Sequence, residues 1–359
     1  MTRPQPAARS RPGPHRLAIL LDPRFPGGTA TAVAAEIRAL AGLTDLAVIG
    51  LTSGMFRDRP VNPALQAALD ATGLALTWDP PVVRADSLVL HNPSCLKFDT
   101  ALALRLSCDT AIVVCHENFL RPGGAESFDI AACLGLIDRS LICRERFLAP
   151  VSPWNRETVE TWLERGIFDW TLTDFDWFNI CDMKRIPPTP QPRDRRGRHS
   201  RPGFEKFPGP AALQAQFPAH AELCTILGAD SLLGDPEGCP DHWRLYRFGE
   251  RPVADFLAEI DFFVYFTNPL WRESFGRAVA EAIAAGKLVI TDPATAASFG
   301  SAVIASDGSD IDAIIAAHIA APARYVAFVR AAQASLNRFA PQAFRERVLP
   351  FLDRAGPPC

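Results

Sequence analysis

The fold is decided by the stretch YFTNPLWRESFGRAVAEAIAAGKLVITD, residues 265–292. Its apolar runs and turn residues predict a strand, a loop, a helix and a second strand. The helix is indicated by apolar residues at helical spacing, namely Phe275, Val279, Ala282 and Ile283. Strands that alternate with helices are typical of a doubly wound parallel sheet.

The start of this helix is the first candidate binding site. Ser274 is expected to cap the helix and Gly286 to end it. The amides of Phe275 and Gly276 then have no intrahelical partner, and with the positive end of the helix dipole they form a site for phosphate. Because Gly276 has no side chain, a ligand could approach the backbone closely.

Two carboxylates, Glu273 and Glu281, flank the helix start. On a helix their eight residue steps would span about 12 Å, whereas the two carboxylates of a glycoside hydrolase lie roughly 5 to 10 Å apart. The spacing therefore favours an elongated ligand. A nucleotide sugar would place its sugar near Glu273, its diphosphate at the helix start and its ribose at Glu281. Two solvated acids on a surface helix are the alternative.

Length and composition indicate a globular protein of two moderate domains. The chain has 359 residues, of which 48% are hydrophobic and 21% charged. A net charge of -3 provides no basic field for nucleic acid. The nine cysteines form no C-x-x-C pair, so they indicate no zinc site and favour a reducing cytoplasm. The apolar stretches are far shorter than a membrane span, so any membrane association is expected to be peripheral, at the inner face.

Strand patterns recur along both halves of the chain. In the first half they lie at 16–22, 46–51, 74–78, 87–91, 110–116 and 140–143, with a helix at 30–40. In the second half they lie at 221–227, 243–248, 261–266, 288–292 and 302–305. The alternation predicts an α/β protein with two Rossmann-like, doubly wound parallel sheets.

The expected boundaries follow from proline and arginine. Residues 1–15, rich in Pro and Arg, are predicted to be a disordered tail and not a signal peptide. Four prolines and an arginine-rich run indicate a linker in the middle of the chain. The predicted units are a first domain at 16–183, a linker at 184–196, a second domain at 197–338 and a C-terminal helix at 339–359.

Two further candidates follow strands of the first half. Gly27 and Gly28 precede a helix, where backbone amides can meet phosphate or an acceptor, although a tight turn explains them equally well. His116 ends an apolar strand, and ligands of open α/β sheets bind at that edge. His91 has a similar setting, for which a purely structural hydrogen bond is the preferred interpretation.

A basic run opens the second half. Arg198 or Arg201, together with Lys206, could stabilise the negative charge of a departing nucleoside diphosphate. A solvated basic linker is the competing interpretation. Asp174 and Asp176 are similar to a known Asp-x-Asp metal motif, but the tripeptide is common by chance and no metal is assigned to it.

The segment from Glu273 to Gly286 resembles the signature of retaining glycosyltransferases of family four, which have the GT-B fold. That signature has two glutamates separated by seven residues, a turn like Ser-Phe-Gly and a following Glu-Ala-x-Ala-x-Gly. The resemblance implies that Glu273 contacts the donor sugar and Glu281 the ribose. It also implies that amides of the turn 274–276 contact the sugar and phosphate.

The same resemblance extends to positions outside the signature. It places the Gly27–Gly28 turn near the acceptor and the donor phosphate, and His116 against the donor sugar. It implies an arginine and a lysine at the diphosphate. Arg198 and Lys206 are eight positions apart, longer than the usual spacing, whereas Arg201 and Lys206 are five apart, so the choice of arginine stays open.

The resemblance also implies the activity. We expect a retaining glycosyltransferase that moves a sugar from a nucleotide-diphosphate donor to a hydroxyl of a glycan or lipid-linked acceptor, without a cofactor or metal. In such enzymes the leaving phosphate helps to deprotonate the acceptor, and the last helix packs back on the first domain. A catalytically silent nucleotide-sugar-binding protein and a GT-B-like epimerase or phosphorylase remain alternatives. A dinucleotide-dependent oxidoreductase would require a G-x-G-x-x-G turn, which the chain lacks.

Overall fold

The computed structural model describes residues 14–234 and 239–353. Most of the predicted tail at 1–15 and the last six residues of the predicted C-terminal segment, 354–359, lie outside these ranges. The described chain forms two large parallel sheets and one small one. We call the large ones the first sheet and the second sheet.

The first half contains ten strands and four α-helices within the described chain. The strands are β1 (Arg16–Leu21), β2 (Asp45–Gly50), β3 (Leu76–Trp78), β4 (Val82–Arg84), β5 (Ser87–His91), β6 (Arg105–Ser107), β7 (Thr110–Cys115), β8 (Leu141–Ile142), β9 (Glu145–Pro150) and β10 (Thr171–Leu172). The helices are α1 (Gly28–Leu40), α2 (Pro63–Thr72), α3 (Ile130–Ser140) and α4 (Pro153–Leu163).

The first sheet has the strand order β10-β9-β7-β5-β1-β2-β3, all parallel. The predicted strand at 140–143 is β8, which lies instead in the small sheet β4-β6-β8. Strand β9 takes the expected place of that strand beside β7. Its first half is only partly buried, so it lacks the continuous apolar run by which the other central strands are recognised.

The second half continues the pattern. Its strands are β11 (Arg195–His199), β12 (Leu223–Leu227), β13 (Trp243–Tyr246), β14 (Phe262–Tyr265), β15 (Leu288–Thr291) and β16 (Ile304–Ala305). Its helices are α5 (Pro210–Gln216), α6 (Val253–Ala258), α7 (Arg277–Ala284), α8 (Pro293–Ala297), α9 (Ile311–Ala320), α10 (Pro322–Ser335) and α11 (Pro341–Asp353). No described helix is by itself long and apolar enough to cross a membrane. Residues 311–320 and 322–353, bent by 110°, meet that test of length and composition as a pair.

The second sheet has the parallel order β13-β12-β11-β14-β15-β16. Strand β11 begins at Arg195, inside the segment predicted as linker. The arginines there are not a solvated run, because Arg195 pairs with the buried Asp261 at 2.9 Å and Arg196 with Asp194 at 2.7 Å. These ion pairs explain how β11, the first strand of the second half, can carry several charged residues.

Each large sheet has one point at which the strand order reverses. In the first sheet β1 lies between β2 and β5, and in the second β11 lies between β12 and β14. Loops that leave neighbouring strands in opposite directions open a crevice at such a point. The loops in question are 22–27 after β1, 200–209 after β11 and 266–276 after β14.

Aromatic side chains join the two halves behind these crevices. Phe339, just before α11, lies edge-on to Phe178 at 5.5 Å and to Phe275 at 5.2 Å between ring centroids. Phe351 of α11 packs against Phe147 of β9 at 5.1 Å. The turn that contains Phe275 is therefore held from behind by a core that belongs to both halves.

The start of α7 differs from the prediction. Gly276, and not Ser274, is the N-cap, in a left-handed conformation with φ of 93°. Phe275 is buried and pulls the preceding residues out of helical register towards the core. The helix begins two residues later than a Ser274 cap would place it. The amides of Gly276, Arg277 and Ala278, which have no carbonyl one turn before them, now open the helix.

The end of α7 is built as expected around Gly286, which follows the C-cap residue Ala285 and has φ of 79°. The amide of Lys287 donates to the carbonyl of Ala282, and the amide of Gly286 donates to that of Ile283, each at 3.0 Å. This pair of hydrogen bonds is a Schellman motif, and glycine suits its left-handed position.

Replacing Gly276 by Ala is expected to lower the free energy of unfolding by about 1–2 kcal/mol, because a side chain at positive φ is strained. The new Cβ would also lie 3.1 Å from Phe299 Cε2. Chemical denaturation measures the change. Gly209→Ala is the matched control, since Gly209 caps α5 at φ of -58° with nothing within 4 Å of an added Cβ. Equal losses in both variants would contradict the strain argument.

Candidate active site

A cavity of about 460 Å³ lies between the two crevices and is lined by both halves of the chain. Eight of the residues predicted from sequence line it: Gly28, His116, Arg201, Lys206, Glu273, Ser274, Phe275 and Gly276. Three do not line it, namely Gly27, Arg198 and Glu281. The fold thus brings together side chains from the loops that follow β7, β11 and β14.

Glu273 is the centre of the polar cluster on the second-sheet side. Its Oε1 accepts hydrogen bonds from Lys206 Nζ at 2.5 Å and from the Tyr265 hydroxyl at 2.7 Å. Burial by itself would raise the pKa of Glu273, but the charge and hydrogen bond of Lys206, the Tyr265 hydroxyl and the charge of Arg201 outweigh it, and the pKa is lowered. The pKa of Tyr265 is raised well above its usual value by burial and by Glu273. Tyr265 therefore remains a donor.

A pH dependence follows from this cluster. The pKa of Glu273 is 4.5 when the group is unperturbed and lower in the folded protein, so its ionised form stabilises the fold above about pH 4.5. The contribution is lost as the pH falls through the lowered folded pKa. The difference in unfolding free energy between wild type and Glu273→Gln should be constant from pH 5 to 7 and shrink below pH 4.5. A difference that grows on acidification would contradict the lowered pKa.

The two candidate arginines have different surroundings. Arg198 is completely buried behind the cavity wall, where Nη1 donates to the carbonyl of Phe266 at 2.8 Å and Nη2 to that of Lys206. Its guanidinium also stacks on Tyr265 at 4.9 Å. Burial lowers the pKa of Arg198 to about 10. Arg198 therefore cannot contact a ligand in the cavity in this structure. Arg198 instead fixes the backbone of the 200–209 loop.

Arg201, by contrast, lines the cavity and is half exposed. It pairs with Glu205 at 2.7 Å, one turn along the same loop. The Arg201 side chain is 54% exposed, whereas that of Glu205 is 14% exposed, so the arginine is the member of the pair that is open to the cavity. Of the two arginines, Arg201 is the one placed to reach an anion in the cavity.

Glu281 lies outside the cavity lining, on α7 beyond the turn. Its Oε1 accepts from Arg277 Nε at 3.0 Å, and its Oε2 lies 3.5 Å from His199 Nε2. Burial raises the pKa of Glu281 against the opposing charge of Arg277. Burial and the charge of Arg198 lower the pKa of His199 to about 4. Glu281 therefore faces a neutral histidine at the end of β11, which sequence reasoning did not single out.

The first-sheet side contributes Gly28 and His116. Gly28 begins α1, and Gly27 is its N-cap, over the ring of Phe25. His116 follows β7, and its Nε2 lies 3.0 Å from His91 Nδ1 on the neighbouring strand β5. Burial and the neighbouring His91 lower the pKa of His116 well below its usual value. His116 is thus a neutral ring at the cavity.

Contacts across the cavity mouth were not predicted from sequence. The Arg121 guanidinium lies 4.4 Å from the ring of Trp271, and Asn118 Nδ2 donates to the carbonyl of Arg272 at 3.0 Å. Ser152, the cap of α4, donates to the carbonyl of Ser274. These contacts join the two walls in this structure.

The Asp174–Asp176 segment lies away from these groups. Asp176 pairs with Arg156 at 2.7 Å, and Arg156 also donates to the carbonyl of Thr173 at 2.7 Å. This arrangement ties the segment to α4. The carboxylate of Asp176 is neutralised by an arginine of its own half.

The chain was compared with known protein families, curated proteins and solved structures. No protein-family model and no curated protein matches the chain. Among solved structures, the Anabaena protein HepE in complex with UDP and glucose matches with a TM-score of 0.66 and 15% identity, over 94% of this chain and 99% of HepE. An alpha-glucosyltransferase in complex with UDP-glucose and DNA matches with a TM-score of 0.59 and 9% identity, over 94% and 99% of the two chains.

TarM of S. aureus matches over a smaller share, 74% of this chain and 54% of TarM, with a TM-score of 0.52 and 13% identity. At such identities the likeness concerns the fold. This chain has two doubly wound parallel sheets, and the points of strand reversal of both lie at one cavity. The chain therefore has the GT-B fold.

Proposed function

We propose that this protein is a retaining glycosyltransferase that uses a nucleotide-diphosphate sugar, with UDP as the nucleotide. The observation that carries the proposal is the Lys206–Glu273–Tyr265 cluster beside the α7 N-terminus, in the cavity between both crevices. UDP is chosen because HepE, which shares the fold, is known in complexes with UDP and with UDP-glucose. The substrates that bind to the protein would be small molecules and glycans, and not nucleic acid.

The cavity offers separate places for the parts of such a donor. The open amides of Gly276, Arg277 and Ala278 and the positive end of α7 attract a diphosphate. Lys206 and Arg201 add positive charge on the same side. Charge placed where the leaving group becomes more negative lowers the barrier to bond cleavage.

The sugar would lie between Glu273 and His116. An ionised Glu273 accepts hydrogen bonds from sugar hydroxyls and, through Lys206, stays fixed in position. His116 approaches from the opposite wall. The ribose would extend along α7 towards Glu281, whose contact with Arg277 is partly exposed and can rearrange.

The reaction follows from this placement. The acceptor hydroxyl oxygen forms a bond to the anomeric carbon while the bond from that carbon to the diphosphate oxygen breaks. The diphosphate carries away the bonding electrons, and its oxygen takes the proton of the acceptor hydroxyl. Attack on the face that the diphosphate leaves retains the configuration, so no side-chain base is required.

The acceptor is proposed to be a hydroxyl of a glycan or of a lipid-linked precursor. It would enter beside the Gly27–Gly28 turn on the first-sheet wall, where Gly28 leaves the backbone open. Closure of the walls around donor and acceptor, along the Arg121–Trp271 contact, would exclude water and limit hydrolysis.

Thermal unfolding with ligands tests the proposal against its rivals. We expect UDP and at least one UDP-sugar to raise the melting temperature of the wild type, with a weaker effect of GDP and ADP and none of free sugar phosphates. Stabilisation by sugar phosphates alone would favour the epimerase or phosphorylase alternative. If no nucleotide or nucleotide sugar stabilises the protein, the proposed function is wrong.

A further inference from the structure

A chain of three buried side chains runs from the core of the first sheet to the cavity. Glu36 of α1 is 3% exposed and His91 of β5 is 1% exposed. Oε2 of Glu36 lies 3.5 Å from Nε2 of His91, and Nδ1 of His91 lies 3.0 Å from Nε2 of His116. Trp177 Nε1 donates to the same Oε2 of Glu36 at 3.0 Å. Only the last member, His116, lines the cavity.

The carboxylate at one end of this chain favours one direction for the hydrogens. Trp177 Nε1 can only donate, and a carboxylate can only accept. The negative charge of Glu36, 3.5 Å away, favours a ring hydrogen on His91 Nε2 over one on Nδ1. With its single hydrogen on Nε2, His91 presents Nδ1 as an acceptor. His116 Nε2 must donate to that acceptor. The remaining nitrogen of His116, Nδ1, is left with a lone pair.

An alternative is that the group merely fills the core. A buried carboxylate is costly unless its oxygens are paired. In the described chain, Glu36 Oε1 and His91 Nε2 have no hydrogen-bond partner, so the 3.5 Å approach of His91 Nε2 to Glu36 Oε2 is an electrostatic contact. A pair that is costly to bury and leads to a cavity residue is better explained by what it does to that residue. Carboxylate–histidine pairs orient a functional histidine in the same way at metal sites.

We infer that Glu36 and His91 are positioning residues that hold His116 in its Nε2–H tautomer, so that Nδ1 accepts a hydrogen bond from a hydroxyl of the donor sugar. The inference about the tautomer stands on the geometry alone. The assignment of the hydroxyl to a donor sugar rests on the proposed function. The two glutamates then have different roles. Glu273 would contact the sugar directly, whereas the buried Glu36 would act on it through the rings of His91 and His116.

The first measurement is the tautomer of His116 in ¹⁵N-histidine-labelled protein, by long-range ¹H–¹⁵N correlation NMR at pH 7. The spectrum of His116→Gln assigns the signal among the seven histidines. We expect the Nε2–H tautomer in the wild type without any ligand. A wild-type His116 in the Nδ1–H tautomer would overturn the inference.

Glu36→Gln removes the negative charge without a change in volume. Trp177 donates at the Oε2 position, so the amide oxygen of Gln takes that place and His91 Nε2 faces a neutral oxygen instead of a carboxylate. The preference for a hydrogen on His91 Nε2 is then weaker, and the Nδ1–H tautomer of His116 should gain population. Asp138→Asn is the matched control, because Asp138 also accepts an indole hydrogen bond, from Trp170 at 3.3 Å, and lies beside a separate cavity. Unchanged His116 signals in Glu36→Gln would also overturn the inference.

Kinetics separate positioning from simple stability. In Glu36→Gln and in His91→Phe, kcat/KM for a UDP-sugar should fall about 10–100-fold, while the Kd of UDP alone stays as in the wild type. His91→Gln, which keeps an acceptor near His116, should recover part of the loss. Equal kcat/KM in all variants would contradict the role at the sugar. If instead the tautomer is as inferred but no nucleotide sugar binds the wild type, the proposed function fails and the positioning of His116 stands.

Discussion

Replacing Glu273 by Gln is expected to reduce sugar transfer by about 10²–10³-fold in kcat, since one fixed electrostatic partner of the transition state is lost. The side chain keeps its size, but its charge no longer balances Lys206 or orients the sugar hydroxyls. Initial rates with a UDP-sugar and the identified acceptor measure the effect. The lysine is left buried beside a neutral amide, so some loss of stability accompanies the loss of rate.

Glu222→Gln is the matched control for this variant. Glu222 is a glutamate of the same half that pairs with Arg193 at 2.6 Å, on the surface. Its replacement should leave kcat and the Kd of UDP unchanged. Full transfer activity in Glu273→Gln would revive the view that the two glutamates are solvated acids without a catalytic role.

Lys206→Met should produce the second large effect, about 10²–10³-fold in kcat/KM. The variant removes the positive charge that we propose to face the diphosphate. It leaves Glu273 with Tyr265 as its remaining hydrogen-bond donor in the described cluster. Unlike Glu273→Gln, it should also weaken the binding of UDP itself, which calorimetric titration measures.

The exposed Lys184 provides the control, because Lys184→Met removes the same charge outside the cavity. Combining Lys206→Met with Glu273→Gln should cost far less than the sum of the two single effects, since the residues act as one pair. Additive losses, or a Lys206→Met variant that binds UDP as tightly as the wild type, would argue against a diphosphate at this position.

The sequence was informative where local patterns decide the structure. Apolar runs located most strands, and the glycine and two glutamates of the 273–286 segment located the binding edge of the second sheet. The cap of α7 was assigned to Ser274 because serine favours that position. The structure places Gly276 there, since burial of Phe275 imposes a turn that only the tertiary packing reveals.

The choice between Arg198 and Arg201 could not be made from spacing. Arg198 lies within β11, whose neighbours on both sides bury it completely, while Arg201 lies in the loop that follows. Contacts between residues far apart in sequence could not be predicted either. Glu36 and His91 are brought together by the packing of α1 against β5, and nothing in either local pattern marks them as a pair.

The most direct test of the central claim is ¹H NMR of the wild-type protein with a panel of UDP-sugars, without acceptor. We expect UDP to be released slowly from at least one of them, with the free sugar appearing first in the same anomeric configuration as the donor. The rate should fall in Glu273→Gln. A panel in which no UDP-sugar is bound or cleaved, or a first product of inverted configuration, would contradict the account of a retaining glycosyltransferase.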